Sequence, residues 1–299
     1  MDIIYSDIKT INGFACDVVI SGLQKFVRRA DIPRALACAN ELALSNGELF
    51  EYMWSRLMVI SVEDIGLGDP MASVRTYDKY QQHIGSNNDA DAQKALYYEA
   101  IIDLCGCNKE RGSCILAQLI RTIFQSSNAQ ANVEQLYARL IDGDAEQAAL
   151  TAYAIANKGS QYYQGIWECL LNFAKCKLAF EPNAAILVET LNRMRSENYK
   201  DSGIHPMYFT HAIRYLCCLK NGTGLCLKEH SMTEGEACPP AKLEFPSYVF
   251  DKHTLWGQEH GRDELHFLRN CATVIPEVNV DGNDWTHRLI ALIEGGLYA

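Results

Sequence analysis

From Asp17 onward the only periodicity in the chain is helical: apolar side chains return every three or four positions. A chain patterned in this way folds by packing helix against helix, so the expected class is all-α, with about a dozen helices. Leu23, Phe26, Val27 and Ala30 start the series, and Ile32, Ala35, Leu36, Ala39 and Ala43 follow after Asp31 and Pro33 restart the helix. Ala95, Tyr98, Ile102 and Cys105 read as the buried stripe of a later helix, and Ile115, Leu119 and Ile123 as that of the next. Alanine-rich helices around Ala148 and Ala152 come after these, and Trp285, Leu289 and Leu292 mark the last. Residues 1 to 16 lack the period and read as an arm or short strand.

One corner stands out. The helix carrying Phe50, Met53, Trp54, Leu57 and Met58 runs into Ser61-Val-Glu-Asp-Ile-Gly-Leu-Gly-Asp-Pro70. Gly66 and Gly68 can take the positive φ that stops a helix, Asp69 can cap the next one, and Pro70 suits its first turn. Glu63 and Asp64 are then two acids at a helix end. They either cap free amides and pair with an arginine such as Arg56, or they belong to a ligand site.

Ser61 to Pro70 resembles the S-E-D-[IV]-G-L-A-D-P signature in the C-terminal region of the replication-associated recombination protein A (RarA/MgsA) family. Leu23-Gln-Lys-Phe-Val-Arg-Arg-Ala-Asp-Ile-Pro-Arg-Ala-Leu36 is similar to the helix pair that precedes that signature. The resemblance spans about residues 22 to 126. It implies a clamp-loader-collar-like helical bundle through which subunits assemble, extended here by further helices and a C-terminal tail segment. A homo-oligomer is implied, a tetramer first and a dimer next, with a separate AAA+ ATPase or replication protein as a further partner. The Lys-Ser-Asn associated with those relatives is not legible at Cys107-Asn-Lys109, so no role is carried onto that loop. No G-x-x-x-x-G-K-[ST] sequence occurs, so the ATPase half is not expected on this chain, nor is a nucleotide or other cofactor.

The net charge of -10 and a pI near 5.3 argue against a global positive field that would coat nucleic acid, so any DNA contact has to be local. Lys25, Arg28, Arg29 and Arg34 form the most basic helical face and are the nucleic-acid-binding candidates; a solvated face is the plainer reading. Twelve cysteines with no repeated CxxC read as reduced thiols, and Cys105, Cys107 and Cys114 as buried small hydrophobes instead of a zinc site. No apolar run approaches a membrane-spanning length, and a cytoplasmic protein is expected.

Phe250-Asp-Lys-His-Thr-Leu-Trp-Gly-Gln-Glu-His-Gly-Arg-Asp-Glu-Leu-His-Phe267 is similar to a "D-x-H-T-x-x-G-x-x-x-G-R" tail in stand-alone relatives of the same helical domain. Asp251, His253, His260 and His266 are donor types that suit a transition metal, but their spacings put no two ligands on one helical face. Gly257 and Gly261 offer close backbone contact as the rival reading, and no metal is expected.

Composition shifts at 126–132, dividing a collar-like region, 1–126, from a second helical region, 127–299, with a long loop at 220–246. Two functions are open. One is a non-catalytic oligomerisation and interaction module for DNA replication, recombination or repair. The other is a hydrolase or transferase whose cleft gathers Glu63, Asp64, His253 and Arg262. In both, Glu63 or Asp64 is expected to meet Arg262 or His253.

Overall fold

The computed structural model describes residues 5–86, 89–124, 131–198, 205–225 and 242–296. Among these residues it is all-α, with fourteen helices and no strand; the N-terminal arm contributes a single bridge between Lys9 and Ala15. Residues 126–130 of the expected boundary segment at 126–132 and most of the loop at 220–246 lie outside the described residues, as do 87 and 88 of the expected connection at 85–91.

Two compact units divide the chain, and the division differs from the one expected near residue 126. The first comprises Met1–Ser61, Asp78–Asn108 and Glu229–Glu277; the second comprises Val62–Tyr77, Lys109–Lys228 and Val278–Ala299. Composition reports local sequence bias, whereas these units are assembled from segments far apart in sequence.

In the first unit, α1 (Cys16–Arg28), α2 (Ile32–Ser45), α3 (Gly47–Ile60) and α5 (Ala90–Gly106) pack on one another. Asp31 and Asn46 end one helix and cap the next, their side chains accepting from Arg34 N and Leu49 N. Leu23, Phe26, Leu36, Trp54 and Leu57 form the fully buried centre. In α5 the buried apolar residues are Tyr97, Ala100, Ile101, Leu104 and Cys105, whereas Ala95 is exposed and Tyr98 and Ile102 half-buried. The expected stripe therefore holds at Cys105 and is off by a position before it. The doublets Tyr97-Tyr98 and Ile101-Ile102 satisfy two stripes equally, so the period alone does not choose between them. A short turn at Ser247–Val249, α12 (Leu255–Glu259) and α13 (Glu264–His266) complete this unit.

The second unit holds α6 (Gly112–Phe124), α7 (Val133–Asp142), α8 (Ala145–Ala156), α9 (Tyr163–Lys177), α10 (Pro182–Asn198), α11 (Pro206–Lys220) and α14 (Trp285–Glu294). Helix α11 lies at its centre, packed against α6, α8, α9 and α10, and is buried on nearly every face. Ala148, Ala149 and Ala152 of α8 are fully buried, small enough to let helix axes approach closely. Helix α4 (Ala72–Gly85) starts in the second unit and ends in the first.

Candidate functional site

The corner begins where α3 loosens. Its last turn passes into a π-helical turn at Ser61–Ile65 and then a 3-10 turn at Gly66–Gly68. π-Turns of this kind are local departures that need tertiary support. Gly66 has φ +53°, and a Cβ there would sit 2.2 Å from the Glu110 carbonyl oxygen, so glycine is required on both counts.

The support comes from Lys109-Glu-Arg-Gly-Ser113, the charged run before α6. The Glu110 N–H donates to the Asp64 and Ile65 carbonyls, each at 3.1 Å, and its carboxylate accepts from Leu67 N at 3.3 Å and Gly112 N at 2.7 Å. Arg111 carries the acids: its Nε donates to Asp64 Oδ1 at 3.1 Å and its Nη2 to Glu63 Oε1 at 3.0 Å. Asp64 is fully buried and Arg111 7% exposed, so this is an interior ion pair, with Glu63, 17% exposed, at its edge. The adjacent carboxylates hold the guanidinium charged against the penalty of burial. Nearby, Asp69 accepts from Arg75 Nη2 at 2.9 Å, and the Asp69 carbonyl receives the N–H of Ala72 at the start of α4.

A second buried arginine completes the cluster. Arg214 of α11 is fully buried and donates to both Glu110 oxygens, at 2.9 and 3.0 Å, to Ser113 Oγ at 3.0 Å, and to Asp281 Oδ2 at 2.7 Å. Ser113 Oγ lies 3.1 Å from Nδ1 of His211, whose ring is completely buried. Burial first, and the neighbouring Arg214 second, push the His211 pKa down to about 3, so the ring is neutral at ordinary pH. This Ser-His contact has the composition of a nucleophile pair, but both residues have zero exposure and no substrate reaches them.

The C-terminal candidates lie in the first unit and find partners there. The Asp251 carboxylate, fully buried, pairs with Lys25 at 2.5 Å and accepts from His253 N at 2.9 Å and His253 Nδ1 at 3.1 Å. Burial pushes the Lys25 ammonium down to about 8 against the pull of Asp251. Burial also raises the Asp251 carboxyl, but His253 and Lys25 outweigh it and hold the group well below the usual carboxylate range. Arg262 donates to the carbonyls of Ser247 and Phe250 and lies over the Trp256 ring. A Cβ at Gly257 would meet the Asp251 carbonyl at 1.9 Å, the close backbone approach that the glycine spacing suggests; Gly261 instead supplies a positive φ of +67°.

Arg111 holds Glu63 and Asp64, and Arg262 and His253 bond within their own segment. The basic face of α1 is not a solvated patch. Lys25 is 3% and Arg28 1% exposed, because Val249, Asp251 and Cys271 of the C-terminal segment supply acceptors over that face; only Arg29 and Arg34 reach solvent. The histidines do not converge as metal ligands: His253 lies on Asp251, His260 stacks on Trp256, and His266 Nδ1 lies 3.8 Å from the Cys271 thiol. None of the ten cysteines among the described residues is in a disulfide, and Cys105, Cys107 and Cys114 are buried.

Glu110, Arg111, Arg214 and Asp281 were not singled out from sequence. The signal was the charged triplet Lys109-Glu-Arg111 directly before an apolar helix, a placement that costs too much unless each charge meets a partner. No helix among the described residues is long and apolar enough to cross a membrane. Comparison with models of protein families, with curated proteins and with solved structures finds no match to the chain.

Proposed function

We propose that this chain is a non-catalytic oligomerisation and interaction module associated with DNA replication, recombination or repair, resembling the collar region of a RarA/MgsA-type ATPase. The observation that carries the reading is the fate of the signature acids. Glu63 and Asp64 are bonded to Arg111 and the turn's backbone to Glu110, so the corner holds a bundle together. An interior ionic network of this kind specifies one arrangement of helices and leaves little chemistry for a substrate. The alternative, an acid-base cleft, needs Glu63, Asp64, His253 and Arg262 to be turned towards a reactant, and each already bonds to a protein partner.

The module self-associates, as a tetramer first and a dimer next, and works in the cytoplasm beside a separately encoded ATPase or another replication protein. Light scattering at micromolar concentration tests this directly: a tetrameric or dimeric mass is expected, and a monomer overturns the assembly role. Calorimetry with Mg-ATP is expected to show no micromolar binding to this chain, which has no phosphate-binding loop.

A further inference from the structure

On the first unit, arginines and aromatic rings are interleaved along one continuous run of contacts. Arg34 sits over Phe26 at 4.8 Å, Phe26 meets Tyr248 edge-on at 6.4 Å, and Arg29 lies flat over Tyr248 at 3.8 Å. From the same turn, the Ser247 and Phe250 carbonyls receive Arg262, whose guanidinium lies 4.8 Å from the Trp256 ring. Trp256 continues the run, stacked on His260 at 3.8 Å with 15° between the planes. Phe26 is buried, but Arg29, Arg34, Tyr248 and Arg262 are half-exposed and His260 is exposed. Trp256 is 40% exposed, whereas Trp54, Trp167 and Trp285 are exposed by 0%, 3% and 5%.

We propose that this arginine-aromatic strip is a contact surface for single-stranded nucleic acid. Unpaired bases stack on guanidinium planes and aromatic rings with little regard to sequence, while the guanidinium edges donate to phosphate oxygens. A duplex hides its base faces and offers such a strip only its backbone. The carboxylates nearby in sequence are Asp31, which Arg34 holds through its Nε at 2.6 Å, the buried Asp251 and Glu264, and the exposed Glu244, Glu259 and Asp263. The local field is therefore modest, and stacking has to contribute much of the affinity. Three arginines contacting phosphates give a slope of about -2 for log affinity against log salt on single strands, far shallower than that of a basic DNA-coating protein. The surface does not depend on self-association, so this proposal and the assembly role stand or fall separately.

The test is fluorescence anisotropy of labelled oligo(dT) and oligo(U), each of ~15 nucleotides, and of a duplex of the same length, at ~50 mM salt. Binding of one or both single strands is expected, with the duplex at least about 10-fold weaker; the dT to U ratio tells DNA from RNA. Intrinsic tryptophan fluorescence should quench on titration, since Trp256 is the accessible indole. Trp256→Ala should weaken binding by roughly 10-fold or more, and Trp256→Phe, which keeps an aromatic ring against Arg262 and His260, should retain most of it, with a circular dichroism spectrum showing that both variants are folded. No anisotropy change with either strand, equal affinity for the duplex, or unaltered binding by Trp256→Ala in a folded protein would each overturn the proposal.

Discussion

At the scale of single residues, the fully buried Asp64 and the nearly buried Arg111 make the sharpest demand on the fold. Removing one member of an interior ion pair leaves the other charged and unpaired, so Arg111→Met is expected to cost about 3 to 5 kcal/mol in urea unfolding. Glu63→Gln, at the more exposed edge of the pair, should cost about 1 kcal/mol or less. Equal losses for the two variants would contradict this picture of the corner. His211 gives a second residue-scale test. Its folded pKa, near 3, lies below the unfolded value of about 6.5, so the unfolded chain binds the extra proton between those limits. The stabilisation is complete above about pH 6.5 and is lost as pH falls towards 3, amounting to about 2 kcal/mol between pH 6.5 and 5. Unfolding midpoints of the wild type and His211→Asn over that interval measure it, and the variant should lack this component of the slope. The presence of paired acids was readable from sequence, but the identity of their arginine was not. Arg111 lies 47 residues from Asp64, and only the tertiary path of the chain brings the two together.

At the scale of elements, caps and stripes were legible because they are local. Asn46 between two helices, Pro33 in a first turn and the alanine face of α8 follow from side-chain chemistry within a few residues. What the period does not show is a second layer over a polar face, and α1 illustrates why. Lys25 and Arg28 lie opposite its apolar stripe, as on any amphipathic helix, yet they are buried because a segment more than two hundred residues later brings acceptors to them. The Lys25-Asp251 pair should therefore fasten that segment to α1. Asp251→Asn removes the charge that holds Lys25 and is expected to speed amide hydrogen exchange across 249–271 and along α1, while α5 keeps its protection. Uniform deprotection of the whole first unit would show that the pair supports the unit's core and not the docking of one segment.

At the scale of the whole molecule, the chain changes unit five times, at 61/62, 77/78, 108/109, 228/229 and 277/278. A composition shift near residue 126 marks a local change of sequence style, and no local signal reports a path that returns to each unit repeatedly. This weaving makes a prediction about residues 1–126 taken alone. The fragment keeps α1 to α6 but lacks the partners of several buried charges. Glu110 would lose Arg214, while Lys25 would lose Asp251 and Arg28 its Cys271 carbonyl. A buried charge left without its partner costs about 3 to 5 kcal/mol, so losses at two ion pairs approach or exceed the 5 to 15 kcal/mol by which a whole domain is stable. The fragment is expected to retain helical circular dichroism, since its helices have local caps and periodicity, but to melt without a cooperative transition and to bind a hydrophobic dye. A sharp melt with dispersed amide resonances would show that residues 1–126 form an autonomous domain and that the ionic clusters only decorate it.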